Sequence, residues 1–314
     1  MRIVFFGSPA EAAESLESLI AEGHDIAAVY SQPDRKSGRG RKKTATPVKS
    51  FAIQSDLPVI TPKDLRNNVE ELERLIALKA DVFVVVAYGR ILPAEILKVP
   101  QMGVVNIHPS LLPKYRGPSP VVTAILEGDD TVGVTIMLLD KGMDTGPILA
   151  QSTPIRLSGT EKGAVLQDAL FKEGASMLPH VLRGLQEGTL AAEPQDDTKA
   201  SVTRLIDRSD GEIDWASPAE RIDRMIRAYD PWPGTFTKWN GKGLKVLDAQ
   251  ISSVSASVAA AGAGVVVIDQ GRVNVGTGSA SIELKKVQLE GRQAIAATDF
   301  LMGQPDFDGA TLGI

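Results

Sequence analysis

The chain has 314 residues, of which 43% are hydrophobic and 23% charged, with a net charge of -5 and no cysteine. That length and ordinary globular usage argue for two packed domains rather than disorder, and the lack of cysteine excludes disulfides, thiolate metal sites and a cysteine nucleophile. The apolar opening, Arg2-Ile3-Val4-Phe5-Phe6, is too short for a signal-peptide core or a membrane span, so a soluble cytoplasmic protein is expected; any nucleic-acid contact must come from a local basic patch.

In chain order, residues 2–6 read as a strand, Pro9 to Glu22 as a helix and Ile26 to Tyr30 as a second strand. Pro9 suits a first helical turn, where its missing N–H costs little. Val82 to Val86 is apolar at every position, as expected of a strand covered on both faces. Val104–Ile107 and Val132–Leu138 read as further strands, and a helical pattern covers Thr160 to Leu185. This alternation predicts an α/β fold with a Rossmann-like, mostly parallel sheet. The expected domains are 1–188, a polar linker at 189–203, and 204–314. The last region has a short helix, Pro218 to Ala228, then Gly-punctuated strands at 244–251, 264–269, 272–276 and 281–288. Short strands with Gly turns suggest a small barrel or sandwich, and Ser252–Gly264 reads as an exposed loop.

The segment with the most chemistry is Val105-Asn106-Ile107-His108-Pro109-Ser110-Leu111-Leu112-Pro113. In a strand, Asn106 and His108 project from one face, ~6.6 Å apart. Pro109 ends the pairing, so both fall at the strand's C-terminal edge, where open α/β sheets place ligands. An amide and an imidazole there suit attack on a carbonyl, the amide donating to the oxyanion and the imidazole donating or managing a proton. A histidine after a strand can equally be a satisfied turn residue. Gly142-Met143-Asp144-Thr145-Gly146 could hold a carboxylate in a tight loop, where it would fix the tautomer of His108 and raise its pKa. Asp-Thr-Gly is also an ordinary turn.

The strings Asn106-Ile107-His108-Pro109-Ser110-Leu111-Leu112-Pro113 and Gly142-Met143-Asp144-Thr145-Gly146 resemble the active-site motifs of the folate-dependent formyltransferases. Gln32-Pro33-Asp34-Arg35, Val85-Val86-Ala87-Tyr88-Gly89 and Asp230-Pro231-Trp232-Pro233 are also similar to stretches of that family, so the resemblance spans essentially the whole chain. It implies a formyltransferase domain followed by an OB-like β-barrel domain that binds tRNA. It implies Asn106, His108 and Asp144 as catalytic residues, a donor-contacting loop at Ser110, Leu111, Leu112 and Pro113, 10-formyltetrahydrofolate as the folate donor, and no metal. The expected mechanism has Asn106 and His108 stabilising the oxyanion while Asp144 orients His108 and helps remove the amine proton.

Arg35-Lys36-Ser37-Gly38-Arg39-Gly40-Arg41-Lys42-Lys43 has six basic residues in nine. It reads as a mobile loop and lacks the glycine placement of a P-loop; likewise Gly7-Ser8-Pro9 lacks the later glycines of a dinucleotide fingerprint. By resemblance this loop enters the acceptor end of initiator methionyl-tRNA, with Arg35, Arg39, Arg41, Lys42 and Lys43 as candidate contacts; a solvated charge run is the alternative. From Arg204 onward 12 Lys/Arg face 14 Asp/Glu, so tRNA contact there rests on resemblance alone. Lys238, Lys242 and Lys245 could line one face, and Trp215, Trp232 and Trp239 are expected in the core. No membrane partner is expected, and a monomer is. A 10-formyltetrahydrofolate hydrolase or a sugar-nucleotide formyltransferase would share the N-terminal motifs.

Overall fold

Val82-Phe83-Val84-Val85-Val86 can form a strand only if both of its faces are covered, and each of the five side chains is at most 6% exposed. The computed structural model describes residues 1–37, 42–252 and 262–313. Its first part runs β1 (Arg2–Gly7), α1 (Ala10–Ala21), β2 (Asp25–Tyr30), β3 (Arg35–Ser37), β4 (Lys42–Thr44), α2 (Pro47–Gln54), β5 (Val59–Ile60), α3 (Val69–Ala77), β6 (Val82–Val86), α4 (Ala94–Leu97) and β7 (Val104–His108). There follow α5 (Pro120–Glu127), β8 (Thr131–Val132), β9 (Thr135–Leu138), β10 (Ile148–Gln151), β11 (Ile155–Arg156) and α6 (Gly163–Glu187).

A seven-stranded sheet has the order β10-β9-β7-β6-β1-β2-β5. β1, β2, β5, β6 and β7 are mutually parallel, whereas β9 runs antiparallel to β7 and β10 antiparallel to β9. One face is packed by Phe6 stacked on Tyr30, their ring centroids 4.7 Å apart, with Phe83 and Tyr88 against Phe6. On the other side of β7, Ile107 meets α6 at Gly174, where a Cβ would collide with the Ile107 side chain.

The expected strand over 132–138 is divided. β8 pairs with β11 in a separate ladder, while β9 joins the main sheet. Gly133 lies at the break, and a Cβ there would run into Leu111 and Ser152, so the chain turns where the apolar run suggested continuity. Residues 189–203 are bonded into the first unit: Glu193 bridges Ile148 and Val202 bridges Arg116.

The chain divides into two compact units: residues 1–120, 131–156 and 167–203, and residues 121–130, 157–166 and 204–314. The second contains α7 (Ala219–Ala228), β12 (Thr235–Trp239), β13 (Lys242–Ser252), β14 (Val266–Asp269), β15 (Arg272–Gly276), β16 (Ser281–Leu289), β17 (Ile295–Ala296) and α8 (Ala297–Gly303). These strands form one antiparallel sheet, β12-β13-β16-β15-β14 with β17 on β16. Register shifts beside Asp248 bend β13, the usual means of curling a small sheet.

Trp215 donates its indole N–H to Thr237 at 3.0 Å, and Trp239 packs edge-on against Phe300 and Phe307. Trp232 instead lies exposed between Pro231 and Pro233, in the turn joining α7 to β12; a turn gives its ring no second layer to bury against. The proposed lysine face is also divided. Lys245 pairs with Phe236 and so shares the outer face with Lys238, whereas Lys242 stands opposite inward-facing Trp239. Most of the expected 252–264 loop lies outside the described residues. Among the described residues no helix is long and apolar enough to cross a membrane.

Gly174→Val should cost about 1–3 kcal/mol by overpacking, outweighing a helix-propensity gain of under ~1 kcal/mol. Denaturant unfolding should give a lower midpoint; an unchanged midpoint would contradict the close approach of α6 to β7.

Candidate active site

β7 ends at His108, and its alternation puts Asn106 and His108 on the face opposite Ile107. Both are buried, Asn106 to 9% exposure and His108 to 5%. Among the described residues the Asn106 amide has no hydrogen-bond partner, so its N–H groups can serve a ligand. Opposite His108 in the antiparallel register stands Thr135.

The orientation of the imidazole follows from one bond. Nε2 lies 2.9 Å from the Tyr115 carbonyl oxygen. A carbonyl only accepts, so the ring proton sits on Nε2 and a neutral ring leaves Nδ1 with its lone pair free. Nδ1 faces Asp144 Oδ2 at 3.7 Å, too long for a direct hydrogen bond. The same Oδ2 accepts from the Gly117 N–H at 2.7 Å. Two acceptors therefore face each other across a short gap, with no proton of their own between them.

This corrects one expectation: the tautomer is set by the Tyr115 carbonyl rather than by Asp144. The Asp144 charge does raise the His108 pKa, as does the Tyr115 bond, but burial lowers it by more, so it lies below the ordinary imidazole value.

Asp144 sits in the left-handed backbone region, at φ 55°, which carries a cost for a non-glycine residue even though aspartate tolerates it better than most. The flanking glycines are required by close approach. A Cβ at Gly142 would strike the Thr145 side chain, and one at Gly146 would overlap the Leu138 carbonyl. Asp140 Oδ1 accepts from the Gly142 N–H at 2.9 Å and the Thr145 hydroxyl at 2.7 Å, closing the turn from inside. Gln195 closes it from outside, with Nε2 donating to the carbonyls of Asp144 (2.8 Å) and Gly146 (2.7 Å).

The loop after His108 is held by Thr135. Its hydroxyl donates to the Ser110 carbonyl at 2.7 Å and accepts from the Leu112 N–H at 3.0 Å and from Gln151 Nε2 at 2.9 Å. Ser110 spends its hydroxyl on the Lys114 carbonyl, and Leu112 is buried. Of the four residues expected to contact the donor, only Leu111 and Pro113 keep half-buried side chains.

The basic segment is a paired ribbon at its base rather than a loop throughout, because Arg35, Lys36 and Ser37 pair with Thr44, Lys43 and Lys42. Arg35 and Lys43 are exposed there, while Arg39 and Arg41 lie outside the described residues, as does the side chain of Lys42. A cavity of about 640 Å³ in the second unit, lined among others by Trp239, Lys242 and Arg292, contains none of the catalytic, donor-contacting or basic-segment candidates. Sequence reasoning missed Tyr115, Gly117, Thr135, Gln195 and Arg116. Three of these act through main-chain atoms or a strand register; Gln195 is 51 residues from Asp144, within a polar stretch that gave no signal.

An amide, an unprotonated imidazole nitrogen and a carboxylate gathered at the strand ends of a mostly parallel sheet are groups that can serve acyl transfer, one donating to an oxyanion and another accepting a proton. The chain belongs to the formyl transferase family: the model described as "Formyl transferase" matches residues 1–182, and that of its C-terminal domain matches 205–305. It is 46% identical over 303 residues to the methionyl-tRNA formyltransferase of Chloroflexus aurantiacus, covering 96% of this chain and 97% of that protein. Its fold is similar to HypX from Aquifex aeolicus in complex with tetrahydrofolic acid (TM-score 0.65, 17% identity), covering 96% of this chain but only 47% of that longer one. It is also similar to an N-formyltransferase from Helicobacter canadensis in complex with folinic acid and dTDP-3-aminofucose (TM-score 0.66, 20% identity, covering 90% and 98%).

In an NMR titration His108 should have its midpoint below the ordinary value near ~6.5. Asp144→Asn should lower it further, because the Asp144 charge favours the imidazolium. A midpoint at or above the ordinary value in the folded protein would contradict the burial argument.

Proposed function

We propose that the chain transfers the formyl group of 10-formyltetrahydrofolate to the α-amine of initiator methionyl-tRNA. The observation that carries this reading is the gap between His108 Nδ1 and the Asp144 carboxylate, with Asn106, whose amide has no partner among the described residues, on the same face of the strand as His108, in a chain that aligns along almost its whole length with methionyl-tRNA formyltransferases.

The arrangement supports a specific division of labour. The amine nitrogen attacks the formyl carbon, forming the new C–N bond as the C=O π pair moves onto oxygen. The Asn106 amide donates to that oxyanion. His108 has committed its N–H to Tyr115, so its free Nδ1 is suited to take the amine proton rather than to donate to the oxyanion. The Asp144 carboxylate orients the amine through its N–H groups and stabilises the imidazolium that forms. Collapse then breaks the bond to the folate N10, which takes up a proton as tetrahydrofolate leaves. Leu111 and Pro113 are the side chains placed to touch the donor; Ser110 and Leu112 would act by shaping the loop.

The acceptor's phosphates are assigned to the basic segment, Arg35, Arg39, Arg41, Lys42 and Lys43. Each phosphate neutralised adds roughly 0.7–0.9 to the slope of log K against log salt.

Incubated with 10-formyltetrahydrofolate and charged initiator tRNA, the protein should produce formylmethionyl-tRNA. Free formate without that product would favour hydrolysis, and formylation of an amino-sugar nucleotide instead of the tRNA would make it a sugar enzyme. Asn106→Ala should lower kcat roughly 10²–10³-fold, and His108→Ala roughly 10²–10⁴-fold, with the fold retained. Near-normal turnover in either variant would remove its assigned role. Removing the charges of Arg35 and Lys43 together should weaken tRNA binding and flatten its salt dependence by about 1.4–1.8; an unchanged slope would refute the phosphate contact.

A further inference from the structure

Asp144 is held in an unfavourable backbone conformation with its carboxylate aimed at His108, and such a conformation persists only when its surroundings over-determine it. Among the described residues the turn is restrained from inside by Asp140 and from outside by the strap of residues 195–203. We propose that Gln195 is a positioning residue: its amide, oriented by Arg116, clamps the Asp144 loop so that the carboxylate stays at His108. The catalytic use of Asp144 rests on the function proposed above; the clamp itself does not.

The geometry allows one orientation of the amide. Nε2 has two N–H groups and meets two carbonyls, those of Asp144 and Gly146, at 2.8 and 2.7 Å. Oε1 accepts from Arg116 Nε at 3.0 Å. A flipped amide would set its oxygen against two carbonyl oxygens and its N–H groups against a guanidinium. Arg116 is itself fixed. Its side chain is 8% exposed and its Nη2 donates to Asp197 at 2.7 Å. Its backbone N–H donates to Ser201, and its carbonyl accepts from the Thr203 N–H.

Arg116 also immediately precedes Gly117, whose N–H holds the Asp144 carboxylate. A Cβ at Gly117 would collide with Thr203, so the strap presses directly on that second support. The same strap therefore restrains Asp144 at both ends, the main chain through Gln195 and the carboxylate through Arg116 and Gly117. Among the described residues no hydrogen bond or ion pair joins the side chain of Asp144 or His108 to the polar stretch, which is why the strap reads as a linker.

Gln195→Met keeps the length of the side chain and removes both donors. Gln195→Glu keeps the shape and the pairing with Arg116 but turns a carboxylate against two carbonyls. Both should lower kcat for formyl transfer about 10²-fold, the scale of a misplaced catalytic group, with KM for tRNA and for the folate little changed. A group that only stabilised the fold would not move the next readout. In Gln195→Met the NMR titration midpoint of His108 should fall toward that of Asp144→Asn, because the carboxylate no longer supports the imidazolium. A His108 midpoint that stays put or rises in the folded variant, or a wild-type kcat in Gln195→Glu, would overturn the clamp. The titration needs no substrate. If the wild-type protein forms no formylated product while the midpoint shift is present, the function fails and the clamp stands.

Discussion

The bond from His108 Nε2 to the Tyr115 carbonyl is the contact on which the chemistry of this protein depends. It consumes the only proton of a neutral ring and turns the bare Nδ1 toward a carboxylate. Two acceptors 3.7 Å apart repel each other slightly until a donor arrives, and an amine brings N–H groups suited to both. Burial works in the same direction, since it keeps the imidazole neutral and able to accept a proton near neutral pH.

Everything that holds this contact lies at one edge of the sheet. β7 delivers Asn106 and His108 on one face while Ile107 locks the other against Gly174. β9, antiparallel beside it, contributes Thr135, which fixes the loop leading to Tyr115. The Asp144 turn is closed inside by Asp140 and outside by Gln195. Precision at the reacting atoms thus derives from hydrogen bonds to main-chain groups, which side-chain identity alone does not reveal.

This explains what was legible in the sequence. Strand alternation and the proline after His108 were enough to pair Asn106 with His108 at a strand end, because period-two geometry and the loss of an N–H are local effects. The apolar run at 82–86 revealed a doubly covered strand for the same reason. That the C-terminal region is built of short strands was legible from its Gly-punctuated segments, whereas their assembly into one antiparallel sheet was not. The direction of the His108 pKa was not, because it is decided by burial, a property of the assembled sheet. The division of 132–138 depended on Gly133 meeting Leu111 and Ser152, the exposure of Trp232 on a turn without a covering layer, and the role of Gln195 on a contact between distant segments. None of these leaves a mark within a window of neighbouring residues.

The protonation pattern of one ring decides this chemistry, and nitrogen-15 NMR of His108 at neutral pH reads it directly. The expected spectrum is that of a neutral ring with the proton on Nε2 and Nδ1 bare. A ring carrying its proton on Nδ1, or a doubly protonated imidazolium, would contradict it.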